Sequence, residues 1–260
     1  MALILLTNDD GIEAEGLRTL ERSLADIADL VIVAPDQEQS AVSHSITVRS
    51  PLEARQLDTN HYTVSGTPAD CVIYSLANVL TLRPDLVISG INHGANLGDD
   101  IMYSGTVAGA REASRRGLAS LAISQAYDDR PVRFHRGAKF ARLLVKALLA
   151  HKADGGLCLN VNIPVGRIRG VKITRQGCSL HYPHFNSLDR NGADTGGLLE
   201  FADDPEKSAL PQDYKVVWEH YVSVTPLQRD QTDYALAERF AKDPPRLFRR
   251  LRVPGIGLIP

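Results

Sequence analysis

Two aspartates stand side by side where an apolar run ends: Leu3-Ile4-Leu5-Leu6 leads into Thr7-Asn8-Asp9-Asp10-Gly11. Two carboxylates ~4 Å apart repel by about 4 kcal/mol at an effective dielectric near 20, so the pair calls for a bound cation. The competing account is helix capping, because a helix N-terminus favours a carboxylate. Capping serves for one aspartate more easily than for two. A second polar segment, residues 37–43, follows Val33-Ala34-Pro35-Asp36 and carries Ser40, which alone would read as a turn former. A third, residues 89–100, holds Asn92 and Asn96 among glycines. Either asparagine can offer a neutral oxygen, and either can equally be a turn residue. Ser104, Gly105 and Thr106 then open a helix whose first amides form a natural anion site.

Every proposed ligand atom in this set is an oxygen, a preference of Mg²⁺ or Mn²⁺ rather than of zinc. The chemistry that follows is phosphoryl transfer to water: the metal binds a phosphate oxygen, activates water and neutralises charge as the ester breaks. His93 is a lone loop histidine. The His181-x-x-His184 spacing is interrupted by Pro183, which prevents a helix from converging the two rings.

The elements that must position these residues alternate. Apolar runs at residues 3–6, 30–34, 86–89 and 121–124 read as buried parallel strands. Between them lie helical spacings: Leu17, Leu20, Leu24 and Ile27; Val72, Leu76, Val79 and Leu80 after a Thr67-Pro68 start; Phe134, Ala141, Val145 and Leu148. The alternation predicts a doubly wound, mostly parallel α/β sheet, with ligands bound beyond the carboxyl ends of its strands. Period-two patterns at Ile46 and Val48 and at Tyr62 and Val64 predict a short antiparallel excursion. Beyond about Gln176 the chain turns rich in Gly, Asp and Pro, then β-rich over residues 216–224, with a short helix at 232–241. The expected organisation is a core over 1–175 and a C-terminal hairpin, strand and helix region over 176–260 that packs on the core and on a neighbouring subunit.

Composition bounds the partners. The 260 residues are 43% apolar, enough for a large core, and 29 Lys and Arg against 31 Asp and Glu supply no field for a nucleic-acid duplex or a membrane surface. Cys71, Cys158 and Cys178 are scattered and odd in number, which predicts a reducing, cytoplasmic setting, and residues 3–6 are too short an apolar run for a leader. Arg246, Arg249, Arg250 and Arg252 form a basic tail assigned to solvent or intersubunit contact, and Arg115 and Arg116 answer a helix C-terminal dipole.

Taken in order, Asn8-Asp9-Asp10-Gly11, Val33-Ala34-Pro35-Asp36, Gly66-Thr67-Pro68-Ala69-Asp70-Cys71, Ser89-Gly90-Ile91-Asn92, Asn96-Leu97-Gly98 and Tyr103-Ser104-Gly105-Thr106-Val107-Ala108 resemble the SurE (survival protein E) nucleoside monophosphate phosphatases. Tyr221-Val222-Ser223-Val224-Thr225-Pro226-Leu227 extends the likeness, which is weak between about residues 176 and 216. The resemblance implies a Rossmann-like fold and one divalent ion, Mg²⁺ or Mn²⁺, per subunit. It assigns Asp9 and Asp10 to catalysis and to the metal together with Ser40 and Asn92, and makes Asn96, Ser104, Gly105 and Thr106 phosphate-side residues. It also implies a homodimer or homotetramer acting on nucleoside 5′-monophosphates, 3′-monophosphates and short-chain polyphosphate. His220 departs from the family pattern, which usually carries Gly there, and the tail over 246–260 has no counterpart. A haloacid-dehalogenase-type phosphatase would need Asp-x-Asp rather than adjacent aspartates, and no P-loop segment occurs. A metal and nucleotide binding module without turnover is the alternative from another class.

Overall fold

The computed structural model describes residues 1–180, 200–201 and 209–242; His181, His184 and the Arg246–252 cluster lie outside them. The strands are β1 (Ala2–Thr7), β2 (Ala28–Pro35), β3 (Ala54–Gln56), β4 (His61–Val64), β5 (Leu86–His93), β6 (Ser120–Gln125), β7 (Cys158–Ile163), β8 (Val171–Ile173), β9 (Ser179–Leu180), β10 (Glu200–Phe201) and β11 (Val222–Pro226). The α-helices are α1 (Glu15–Leu24), α2 (Pro68–Tyr74), α3 (Gly105–Arg115), α4 (His135–Ala150), α5 (Asp213–Trp218) and α6 (Tyr234–Lys242).

Nine strands form one sheet in the order β3-β4-β2-β1-β5-β6-β7-β11-β8. The six from β4 to β7 are parallel, β11 runs antiparallel to β7, and β8 is parallel to β11. Both faces of β1, β2, β5 and β6 are covered, which is why residues 3–6, 30–34, 86–89 and 121–124 read as apolar runs. On β1, Ile4 and Leu6 pack in the cluster that holds Leu17 and Leu20 of α1 and Ala141 and Val145 of α4. Leu5, pointing the other way, packs with Cys71 and Val72 of α2 and Ala113 of α3. Ile32 against Val33 and Ile88 against Val87 repeat this division on β2 and β5.

From β1 the chain winds outward to β2 and later, in the other direction, to β5. The crevice between the carboxyl ends of β1 and β5 is therefore the topological switch point, where open α/β sheets take their ligands. Residues 8–10 leave β1 there, and Asn92 and His93 end β5 there. A register shift between Gly90 and Asn92 interrupts the β5–β6 ladder, and the Gly90–Ile91 peptide is cis. Gly90 has φ +136°, and a Cβ on it would stand 2.2 Å from the Ile123 carbonyl oxygen, so no other residue fits the bulge.

Three expectations need correction. The antiparallel excursion is β3 against β4, with β4 itself parallel to β2; Ile46 and Val48 belong to no strand and are exposed. Val216, Val217 and Trp218, read as β-rich, are helical in α5, because burial of Tyr214, Val216 and Val217 on one face overrides their strand propensity. The organisation also differs from a break at 175/176. β8 and β11 complete the main sheet, and the compact units are residues 1–227 and 228–260, the second of which contains α6. Within the 176–260 region, β9 and β10 do pair antiparallel.

Asp213 anchors α5 to the loops of the first unit. Fully buried, its carboxylate accepts backbone N–H groups from Gly98 and Gly177 at 3.0 Å and from Tyr214 at 2.8 Å. Asp213→Ala would strand these donors, and a loss of about 3 kcal/mol is expected as a lower urea midpoint with unchanged m-value. An unaltered midpoint would show that the carboxylate does not hold the loops.

Candidate active site

Asp9 leaves β1 with only 5% of its surface exposed. Its Oδ2 accepts the backbone N–H of Thr106 at 2.9 Å, and its Oδ1 accepts the Thr106 hydroxyl. Thr106 is the second residue of α3, whose first residue is Gly105 and whose N-cap, Ser104, accepts the Val107 N–H at 3.1 Å. Two orphan donors of the helix are thus met, one by its own cap and one by a carboxylate from the adjoining strand. A Cβ on Gly105 would stand 2.9 Å from the Asp9 Cβ and 3.1 Å from the Gln39 carbonyl oxygen, so glycine is what lets α3 come so close. Capping and cation binding, opposed in the sequence reading, turn out compatible: the helix capped by Asp9 is α3 and not α1, whose N-cap is Ala14.

Burial raises the Asp9 carboxyl to a pKa of about 6, with the neighbouring charge of Asp10 pushing the same way, although both Thr106 hydrogen bonds favour the anion. Asp10, less buried, is also raised, first by burial and then by Glu38, against the His93 backbone N–H that reaches its Oδ2 at 3.2 Å. Both carboxylates are thus held where their charged forms are disfavoured, the condition a cation relieves.

The residues next to Ser40 and Asn92, namely Gln39 and His93, touch this pair. The Gln39 N–H donates to the Asp9 carbonyl at 2.7 Å, which brings the Ser40 loop over β1. The Ser40 hydroxyl donates to Glu38 Oε1 at 2.7 Å, leaving lone pairs on Oγ for a cation. Asn92 directs its NH₂ to the Gly94 carbonyl at 2.9 Å, so its amide oxygen is the ligand atom it can offer. Among the described residues no group of three or more His, Cys, Asp and Glu could hold a metal, so hydroxyl and amide oxygens must complete any set built on Asp9 and Asp10. An all-oxygen set fits a hard divalent ion.

The phosphate-side residues separate into two groups. Gly105 and Thr106 sit against Asp9, and both donors of Thr106 are engaged by its carboxylate. Asn96 belongs to a buried amide network, its N–H donating to Asn162 Oδ1 and its NH₂ to Ser124 Oγ, each at 2.8 Å, while its carbonyl accepts from Asn160 and Asn162. The sequence reading missed this support on β6 and β7, together with Glu38 and Gln39. The alternation Leu159-Asn160-Val161-Asn162-Ile163, amides inside an apolar strand, was the available signal.

A group whose folded pKa is raised stabilises the fold fully below its unfolded value, here 3.8, and that stability is lost as pH rises through about 6. In metal-free protein this amounts to about 2 kcal/mol between pH 4 and 8. Asp9→Asn keeps the Thr106 N–H on its amide oxygen and turns its NH₂ to the Thr106 hydroxyl, which then accepts. The uncharged side chain is expected to raise the metal-free melting temperature at pH 8 by about 5 °C while changing little at pH 4. A lower melting temperature for the variant at pH 8 would contradict this account.

The family model described as "Survival protein SurE" matches residues 4–182. The chain is 41% identical over 251 residues to the 5′-nucleotidase SurE of Mesorhizobium japonicum, covering 92% of this chain and 98% of that protein. It is 42% identical over 236 residues to that of Vibrio cholerae, covering 88% and 92%. The crystal structure of the SurE protein from Aquifex aeolicus superposes with a TM-score of 0.78 at 40% identity, over 93% of this chain and all of that one. With the family match spanning both strand ends that carry Asp9, Asp10 and Asn92, the chain belongs to the SurE family.

Proposed function

We propose that this chain is a divalent-metal-dependent phosphomonoesterase that hydrolyses nucleoside 5′-monophosphates to nucleoside and phosphate, with 3′-monophosphates and short-chain polyphosphate as further substrates. The observation that carries the reading is the Asp9–Asp10 pair at the switch point of the sheet, both carboxyls raised by burial and Asp9 held against the first turn of α3. The 5′-nucleotidase relatives, similar over most of the chain, support the substrate class.

In this reading Asp9, Asp10, Ser40 and Asn92 hold the ion, Mg²⁺ or Mn²⁺, one per subunit. When bound, the ion supplies Lewis-acid polarisation of the phosphoryl group, activation of water and neutralisation of the leaving oxygen. Thr106 fixes both oxygens of Asp9, the His93 amide fixes Asp10, and Glu38 orients the Ser40 hydroxyl. Ser104, Gly105 and Thr106 place a helix N-terminus beside the carboxylates, where its dipole favours the phosphate anion. Asn96, with its backbone pinned by Asn160 and Asn162, offers a rigid amide on the same side. Assembly as a homodimer or homotetramer through residues 176–260 rests on the resemblance alone. A cytoplasmic setting is supported by three free cysteines, and no described helix is long and apolar enough to cross a membrane.

A phosphate-release screen over mononucleotides and short polyphosphates, with each of several divalent ions, tests the reading. Metal-stimulated release is expected from the wild-type protein, and Asp9→Asn or Asp10→Asn should lower kcat about a thousandfold with unchanged circular dichroism. Retained activity in both variants would overturn the site. Prolonged incubation without release under any metal would mark a binding module.

A further inference from the structure

A cavity of about 570 Å³ has Asn92, His93, Tyr127, Tyr214, Trp218 and His220 in its lining. It lies within the range of small-ligand sites. It adjoins Asp10 through a lining residue, since the His93 backbone N–H donates to the Asp10 carboxylate. The His93 and Tyr127 rings stack at 4.8 Å between centroids, and Trp218 stands edge-on to Tyr214 at 6.4 Å. Tyr127 and Trp218 are 59% and 62% exposed, so part of each ring meets solvent in the cavity lining.

His220 adds a polar group. Its backbone has φ +65°, the left-handed region that favours glycine, and yet a ring-bearing residue occupies it. The ring is tied down by Nδ1, 2.9 Å from the Val165 carbonyl. A carbonyl only accepts, so Nδ1 donates, and in the neutral ring Nε2 is an acceptor. Aromatic faces with a hydrogen-bond acceptor are the chemistry that recognises a nucleobase bearing an exocyclic amine.

Building on the nucleotidase reading above, we propose that Tyr127, Trp218 and His220 form the nucleobase subsite of this chain, stacking the base at the mouth of the cavity and accepting a hydrogen bond from its exocyclic amine. His220 is the specificity-determining residue of the three.

Trp218 is the single tryptophan of the chain, so its fluorescence reports the subsite directly. Adenosine is expected to change that fluorescence saturably, and ribose 5-phosphate is expected not to. In kinetics with AMP and ribose 5-phosphate as alternative substrates, Trp218→Ala should lower the ratio of their kcat/KM values about tenfold. His220→Gly, which suits the backbone conformation, should lower that ratio about fivefold for AMP and less for UMP, which lacks the amine. No fluorescence response to adenosine, or equal losses for AMP and ribose 5-phosphate, would overturn the subsite. Absence of phosphate release from both substrates would instead sink the nucleotidase reading, and the adenosine titration then decides the subsite by itself.

Discussion

The hydrogen bonds from Thr106 to both oxygens of Asp9 are the contact on which the rest of the site depends. A carboxylate almost wholly removed from water is costly unless donors replace the lost solvent, and here the donors are the second amide and a hydroxyl of a helix. Helix and charge satisfy each other: α3 gains a partner for an orphan N–H, and Asp9 gains two hydrogen bonds and the positive end of a dipole. The offset is incomplete, because burial and Asp10 still hold the Asp9 carboxyl at about 6. A pair of acids kept in that condition is a reservoir of unfavourable charge that a cation discharges, and perturbed carboxylates in a crevice are the mark of a working site.

The fold supplies what this contact requires. β1 is paired on both edges and covered on both faces, which fixes where its last residues emerge. Because the winding reverses between β1 and β5, their carboxyl ends face a common crevice. The bulge at Gly90 shifts the β5 register just before Asn92, while the Gln39 N–H to the Asp9 carbonyl brings over the loop that carries Ser40. Gly105 removes the one side chain that would force α3 away from Asp9. The cavity that His93 shares with Asn92 is lined by Tyr127, Tyr214 and Trp218, surfaces that suit a flat, partly polar group.

Much of this was legible from residue order. Unbroken apolar runs marked the buried parallel strands, and Asp9-Asp10 at a strand end marked the crevice. What was not legible depended on contacts distant in sequence. Thr106 read as a phosphate donor because nothing local reveals that Asp9, 97 positions earlier, occupies both its donors. The β-branched pair Val216 and Val217 argued for a strand until burial against the sheet decided for a helix. The hold on Asn96 from Asn160 and Asn162 crosses more than sixty residues, and single-sequence periodicity carries no trace of such pairs. Ser40 and Asn92 stood out from other loop residues only through the family resemblance.

Whether a cation relieves the buried charge of Asp9 is read from proton release on metal binding, measured by titration calorimetry of Mg²⁺ or Mn²⁺ in buffers of different ionisation enthalpy. If the ion takes up the charge of a carboxyl poised near 6, binding at pH 6 must release at least about half a proton per ion, falling towards none at pH 8. That dependence is expected in the wild-type protein and is expected to be lost in Asp9→Asn. Proton release that is zero at pH 6, or that persists unchanged in the variant, would contradict it.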